Sequence, residues 1–293
     1  MGPTASGKSA VAFAYAVEHG DVELISVDSM QVYRGMDIGT AKPTPTERAA
    51  VSHHLIDVAD PADEFTVAMF KTACVEALRE VESRGHRALL VGGTGLYLRA
   101  VIDDLDLPGQ FPQVRDDLES VVATSELHDR LVELDPAAAA RMEPTNRRRV
   151  VRALEVTLGS GRPFSSYGPG LRSYPDTDVC LVGLVVSRPE LNRRIAERFR
   201  AQLAGGFLDE VRRLRASPRG ISRTAAQALG YRELLAYLEG EVGMDEAVDQ
   251  AITRTRRFAR RQERWFRRDP RIGWIDAEDG HNVLRHLDER LRD

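Results

Sequence analysis

The chain has 293 residues, 42% of them hydrophobic, and a formal net charge of −4, enough for one large core and a smaller lobe at ~100–150 residues per domain. No apolar run approaches the ~20 residues of a membrane span and no charged-then-apolar leader opens the chain, so neither membrane insertion nor secretion is expected and the cytoplasm is the expected compartment. The two cysteines, Cys74 and Cys180, stand far apart without a Cys-x-x-Cys pair. That pattern supports neither a disulfide framework nor a zinc site, and both are expected to be buried small apolar residues.

The first element is a loop. Gly2, Pro3, Thr4, Ala5, Ser6, Gly7, Lys8 and Ser9 fit Gly-x4-Gly-Lys-Ser, a phosphate-binding loop at the mouth of a helix. Its backbone N–H groups form a nest for a diphosphate, Lys8 is a point charge and the Ser9 hydroxyl is a candidate magnesium ligand. Such loops are entered from a buried parallel strand. None precedes Gly2, and the expectation is that the natural start lies a few residues upstream. On its own the loop suits a small-molecule kinase equally well.

Residues 10–19 have helical spacing, and Val22–Val27 reads as a buried strand that ends at Asp28. In open parallel α/β sheets ligands bind at the carboxyl ends of strands, which makes Asp28 a candidate for chemistry; the plainer reading is a cap for the next helix. The pair His53-His54 has no accompanying ligand cluster. Residues 65–84 have amphipathic helical spacing, and 88–91 form a second apolar strand running into Gly92, Gly93, Thr94 and Gly95. The alternation implies parallel β-α-β units. The paired glycines allow a ligand to approach the backbone closely, with the Thr94 hydroxyl at the same edge as Asp28.

A breaker-rich stretch at 106–112 marks a lobe boundary. Short helices are expected over 114–124, 125–133, 136–142 and 146–158, closed by a Gly/Pro/Ser-rich loop over 159–175. Residues 179–186 then return as a buried strand, and helices dominate from 189. The expected architecture is α/β: a P-loop NTPase-like parallel sheet flanked by helices, built from 1–110 and 176–293, with a helical insertion lobe over 111–175.

Charge is unevenly distributed. Residues 1–180 carry 18 basic and 27 acidic side chains, whereas 181–270 carry 19 and 12, so a polyanion is expected to contact the later part of the chain. Arginine outnumbers lysine 38 to 3, which makes Lys8, Lys42 and Lys71 notable wherever a compact point charge is wanted. Arg194 and Arg198 lie one helical turn apart and could clamp a diphosphate, or could form a solvated face with Glu190 and Glu197. Arg147, Arg148, Arg149 and Arg152 open a helix of the insertion, where phosphate contacts are plausible. Residues 253–268 hold eight arginines with Phe258, Trp265 and Phe266. They read as one helix with Arg257, Arg261, Arg264 and Arg268 in a basic stripe of the kind that tracks a phosphate backbone.

The runs at 2–9, 25–43 (Ile-Ser-Val-Asp-Ser-Met-Gln-Val-Tyr-Arg-Gly-Met-Asp-Ile-Gly-Thr-Ala-Lys-Pro), 53–57, 91–97, 152–155 and 229–233 resemble, in order and over nearly the whole chain, the bacterial tRNA dimethylallyltransferase family. The resemblance implies transfer of a dimethylallyl group from its diphosphate to N6 of the adenosine 3′ of the anticodon, with diphosphate leaving. It implies that Asp28 is the base, that Thr94 helps to hold the base or substrate, and that Arg194 or Arg198 clamps the diphosphate. It makes the P-loop a cradle for the prenyl diphosphate with Mg2+ on Ser9.

By the same resemblance, contacts to the tRNA anticodon stem-loop fall to Asp28, Ser29, Met30, Gln31 and Thr94, with Arg115 a weaker candidate. They continue through Arg148, Arg149, Val150, Val151 and Arg152 of the insertion, and through Gln227, Ala228, Leu229, Gly230, Tyr231 and Arg232. The C-terminal zinc finger that many eukaryotic members carry is not expected within these residues.

The chemistry agrees with this inventory. An adenine amine is a poor nucleophile and needs orientation, a carboxylate for its proton and neutralisation of the departing diphosphate. The alternatives are a small-molecule P-loop kinase, a transferase acting on free adenine nucleotides (adenylate isopentenyltransferase) and, more distantly, an RNA-binding ATPase. A mononucleotide needs no extended basic surface, so the arginine-rich helices favour tRNA. A monomer is the default state.

Overall fold

The computed structural model describes residues 1–168, 170–279 and 282–292. The chain divides into two compact units, Met1–Ile102 with Asp176–Asp293, and Asp103–Pro175.

In the first unit the P-loop opens helix α1 (Lys8–His19), followed by β1 (Val22–Val27), α2 (Pro45–Ala50), β2 (His53–His54), α3 (Val67–Ser83), β3 (Arg87–Gly92) and α4 (Gly95–Ile102). Helix α1 ends at Gly20, whose φ of 70° lets its N–H reach Ala16 O. All three strands are parallel in the order β2-β1-β3, with β1 buried along its whole length. Register runs from Val22 opposite Arg87 to Val27 opposite Gly92, which brings the carboxyl ends of β1 and β3 level.

The second unit is helical: α5 (Pro112–Ser120), α6 (Thr124–Leu134), α7 (Pro136–Ala139) and α8 (Arg147–Ser160). Its core is Leu118, Leu127, Leu131, Ala138, Val150, Val151 and Leu154. The segment ahead of α5 belongs to this unit because its polar backbone is tied there. The Phe111 N–H donates to Glu155, and Arg152 donates to the Pro108 and Gly109 carbonyls.

The chain returns to the first unit with β4 (Val182–Val185), α9 (Arg188–Ala204), α10 (Phe207–Arg215), α11 (Arg223–Ala226), α12 (Tyr231–Leu238), α13 (Met244–Phe266), β5 (Gly273–Asp276) and α14 (Asn282–Arg292). Strands β4 and β5 form a separate parallel pair, so the strand expected over 179–186 does not extend the first sheet. Met1 lies alongside β4, donating from its amino group to Val182 O at 2.6 Å and accepting from the Leu184 N–H at 2.9 Å.

Alternation along β1 separates two cores. Ile25 and Val27 join Phe70 of α3, Tyr97 of α4, Leu191 and Ile195 of α9 and Ala259 and Phe266 of α13. Val22 and Leu24 join Ala12 and Tyr15 of α1, Leu184, Ile275 and Val283. Helix α13 starts well before the expected 253 because its buried positions Ala247, Ala251, Thr255, Ala259, Gln262 and Phe266 keep a three-to-four spacing throughout. Cys74 is buried, but Cys180 is exposed, its Sγ donating to Arg290 O at 3.0 Å.

Candidate functional site

The P-loop closes on itself through Ser6 N–H to Pro3 O at 3.2 Å. Ala5 (φ 64°) and Gly7 (φ 89°) both adopt left-handed backbone, the geometry that turns successive N–H groups inward to form an anion nest. At Gly7 a side chain would be strained, and Gly7 is also where α1 begins, with no acidic residue in its first turn; the positive end of the helix is left for a ligand. Lys8 folds back, Nζ to Pro3 O at 3.4 Å. Burial pulls its pKa down to about 8, with Asp28 raising it and Arg198 lowering it. The Ser6 hydroxyl is buried without a hydrogen-bond partner among the described residues, which marks a polar position open to a ligand. Ser9 is exposed in the first turn of α1.

Two arginines of α9 reach this loop. Arg198 Nη2 donates to the Thr4 hydroxyl at 2.6 Å, and burial lowers its pKa while Asp28 opposes the shift. The Arg194 Nη1 atom lies 3.9 Å from where a Cβ on Gly7 would sit, and its Nε donates to Glu190 at 2.7 Å.

The edge of the sheet carries the second half of the site. The Thr94 N–H reaches Val27 O at 3.4 Å, and the Thr94 hydroxyl accepts from the Ser29 N–H at 3.3 Å. Asp28 Oδ1 accepts from the Met30 N–H at 2.9 Å. Asp28, Thr94, Lys8 and Arg198 therefore share one neighbourhood, through contacts at one side and charge at the other.

The glycines of the 92–95 turn serve the protein first. A Cβ on Gly92 would lie 2.0 Å from Val27 O, one on Gly93 2.3 Å from Gln262 Nε2 and one on Gly95 2.1 Å from Trp265 Nε1. The close approach read as room for a ligand is taken by β1 and by two side chains of α13.

Residues inside and outside the quoted runs organise this edge. Glu210 of α10 is buried and accepts from the N–H groups of Asp37, Ile38 and Gly39 and from the Tyr231 hydroxyl at 2.5 Å. The resulting loop accepts from Gln31, whose Nε2 donates to the Thr40 and Ala41 carbonyls at 3.1 Å while its Oε1 accepts from Ser26 at 2.7 Å. Lys42 is a buried tie between Tyr33 O, Asp37 and Asp57. Its rarity in an arginine-rich chain and its place in the 25–43 run are sequence signals; Glu210 and Gln262 have none.

The remaining expected contact residues divide by exposure. Gln227 and Arg232 are exposed, Leu229 is half-buried, and Ala228, Gly230 and Tyr231 are buried. In the helical unit Arg148 and Arg149 are exposed, whereas Val150 and Val151 belong to its core. Arg115 pairs with Glu119 and Arg152 with Glu155. Runs carried over whole thus include inward-facing helix positions whose side chains cannot meet a partner. These buried residues support the exposed neighbours instead.

Among known proteins, the family model described as IPP transferase matches residues 31–269. The chain belongs to the IPP transferase family. A tRNA dimethylallyltransferase of Kineococcus radiotolerans is 48% identical over 97% of this chain and 92% of its own length, and one of Thermobifida fusca is 46% identical over 95% and 90%. Among solved structures, the tRNA isopentenylpyrophosphate transferase of Bacillus halodurans aligns with a TM-score of 0.71 at 38% identity, covering 99% of this chain and 95% of that one. A eukaryotic dimethylallyltransferase acting on tRNA aligns with a TM-score of 0.79 at 25% identity, covering 98% and 76%. The α/β P-loop-like architecture is common to these IPP transferase structures and to this chain.

Proposed function

We propose that this IPP transferase moves a dimethylallyl group from dimethylallyl diphosphate to N6 of the adenosine 3′ of the anticodon in tRNA, releasing diphosphate. The observation that carries the reading is that Arg198 is bonded to the P-loop at Thr4 while the Asp28 carboxylate, at the end of β1, is near enough to act on the charges of Lys8 and Arg198. A carboxylate is useful to an amine that must lose a proton, and paired cations are useful to a departing diphosphate.

In the reaction, N6 bonds to the first carbon of the allyl group while that carbon's bond to diphosphate oxygen breaks, and the electron pair leaves with the diphosphate. The N6 proton passes to Asp28. One Asp28 oxygen is held by the Met30 N–H, which orients the carboxylate and leaves the other oxygen for the amine. Thr94, fixed by Ser29, borders the base. The P-loop amides, Lys8 and Arg198 receive the diphosphate, with Arg194 beside Gly7. The Ser9 hydroxyl, in the first turn of α1, is a hard oxygen donor of the kind Mg2+ takes. A bound ion would add positive charge at the leaving group.

The target base must be extruded from its stack to reach this edge. Phosphate contacts would come from the exposed Arg148, Arg149 and Arg232 and from the arginines of α13. These surfaces favour tRNA over a free adenine nucleotide, whose binding needs no extended basic face. All the proposed catalytic groups belong to one chain, so a monomer is the proposed active unit and the tRNA-containing cytoplasm its compartment. Among the described residues no helix is long and apolar enough to cross a membrane.

The test supplies protein and Mg2+ with labelled dimethylallyl diphosphate and either unmodified tRNA or AMP. Label is expected in tRNA alone. Label in AMP, or phosphate release from ATP with no prenyl transfer, would overturn the reading. Asp28→Ala is expected to reduce transfer by about 10²–10⁴-fold with tRNA affinity changed only a few fold; wild-type-like turnover would remove Asp28 from the mechanism.

A further inference from the structure

Gln262 stands where the two halves of the site meet. It is 7% exposed, its Oε1 accepts the Thr4 N–H at 2.8 Å, and its Nε2 donates to Gly93 O at 2.8 Å. A primary amide both accepts and donates from one planar group. The partners fix its orientation, since a backbone N–H can only donate and a carbonyl can only accept. One side chain of α13 thereby spans the P-loop and the 92–95 turn, two segments about 90 residues apart in sequence that no strand pairing joins among the described residues.

The surroundings are shaped around it. Gly93 has no side chain, and a Cβ there would lie 2.3 Å from Nε2. Trp265, one turn on, packs against Gly95 in the same way. On the far side of Thr4, Arg198 holds the hydroxyl, so Thr4 is gripped at its N–H by α13 and at its side chain by α9. The Thr4 N–H is directed at α13, which leaves the anion nest to the following amides of the loop.

We propose, resting on the prenyl-transfer reading, that Gln262 is a positioning residue that sets the separation between the diphosphate cradle and the base-holding edge at Thr94 and Asp28. Displacement at the allyl carbon needs leaving group and amine in line, and a misplacement of about 1 Å can cost ~10²-fold in rate. Gln262 acts through Thr4 and Gly93 and touches neither reacting atom.

The test compares Gln262→Leu, which loses both bonds, with Gln262→Glu, which keeps the acceptor for Thr4 but regains a donor for Gly93 O only when protonated. Three quantities are measured: transfer to an anticodon stem-loop, binding of inorganic diphosphate, and binding of tRNA. Gln262→Leu should lower kcat by about 10²-fold and weaken diphosphate binding about tenfold, with tRNA affinity within about twofold. Gln262→Glu should recover relative to wild type as pH falls from 8 to 5, a profile that loss of packing alone would not produce. Wild-type kcat and wild-type diphosphate affinity in Gln262→Leu would overturn the proposal, as would a pH-independent ratio of Gln262→Glu to wild type. Should the wild-type protein itself transfer no prenyl group, the diphosphate arm still decides whether Gln262 positions the loop, so the two failures are distinguishable.

Discussion

Helices α9 and α13 are both rich in arginine and pack against one another, yet their charges have different fates. In α9, Arg193 is held by Glu190 and Glu197, Arg194 by Glu190, Arg188 by Glu263 and Arg198 by Thr4. In α13, Arg254 pairs with Glu233 and Arg256 donates to Asn192 O. Beyond them Arg257, Arg260 and Arg264 are exposed with no ion pair among the described residues, and Arg261 lies over the Phe258 ring. The difference follows from where acids fall. Glu190 and Glu197 sit three or four residues from their arginines, whereas Glu263, the one acid in the arginine-rich half of α13, is taken by Arg188. Composition alone would give the two helices one role; in the fold Arg198 and Arg194 of α9 lie at the P-loop, whereas Arg193 and Arg200 of α9 and Arg257, Arg260 and Arg264 of α13 face outward.

The sharpest way to break this contrast is Arg198→Ala. The substitution removes the grip on the Thr4 hydroxyl and one cation beside the leaving group, and transfer should fall by about 10²–10³-fold. It should also move a pH profile. Lys8 titrates at about 8, held down by burial and by Arg198, so the wild-type loop loses its lysine charge, and with it affinity for the prenyl donor, as pH rises through 8. Removing the neighbouring positive charge raises the pKa of Lys8, and the alkaline loss of donor affinity should shift to higher pH. Donor binding measured between pH 7 and 10 reads the shift; an unmoved profile would mean that Arg198 acts on the loop through its hydrogen bond alone.

On α13 the expected effect is on binding. Replacing Arg257, Arg260, Arg261 and Arg264 together by Gln should weaken tRNA affinity and lower the salt dependence of log K by about 3 to 4 if each cation meets one phosphate. Turnover at saturating tRNA should stay within about threefold of wild type, because none of these side chains reaches the P-loop. An unchanged salt slope would show that the stripe is an ordinary solvated face.

Legibility in the sequence followed the same divide between local pattern and long-range contact. The P-loop, the strand ending at Asp28 and the turn at Thr94 were readable because each is a short run whose chemistry and conformation are encoded together. The helical insertion was readable from its breakers, although Pro108 and Gly109, ahead of its expected start, are tied to it through Arg152, a contact no local pattern announces. The break between the two sheets was not readable either, since a run of apolar residues such as 179–186 carries no sign of which strand it will pair with. Glu210 and Gln262 were invisible for a related reason. Each is one polar residue on an amphipathic helix, and its importance comes from the backbone groups far away in sequence that it satisfies.

The smallest expected effect belongs to Arg193→Ala, and it tests the inner side of the comparison. Arg193 is exposed and, among the described residues, bonded to Glu190 and Glu197 of its own helix, a surface arrangement of the kind that contributes little in water. Arg194 keeps its bond to Glu190 when Arg193 is removed, so the group beside Gly7 stays in position and both transfer kinetics and tRNA affinity should remain within about twofold. Arg193 lies one residue from Arg194 but projects about 100° away around the helix, and that angle separates a neutralised surface cation from one at the phosphate loop. A large loss of tRNA affinity in Arg193→Ala would mean that the outer face of α9 also carries nucleic acid, in which case pairing with nearby glutamates is no guide to which arginines are free to act.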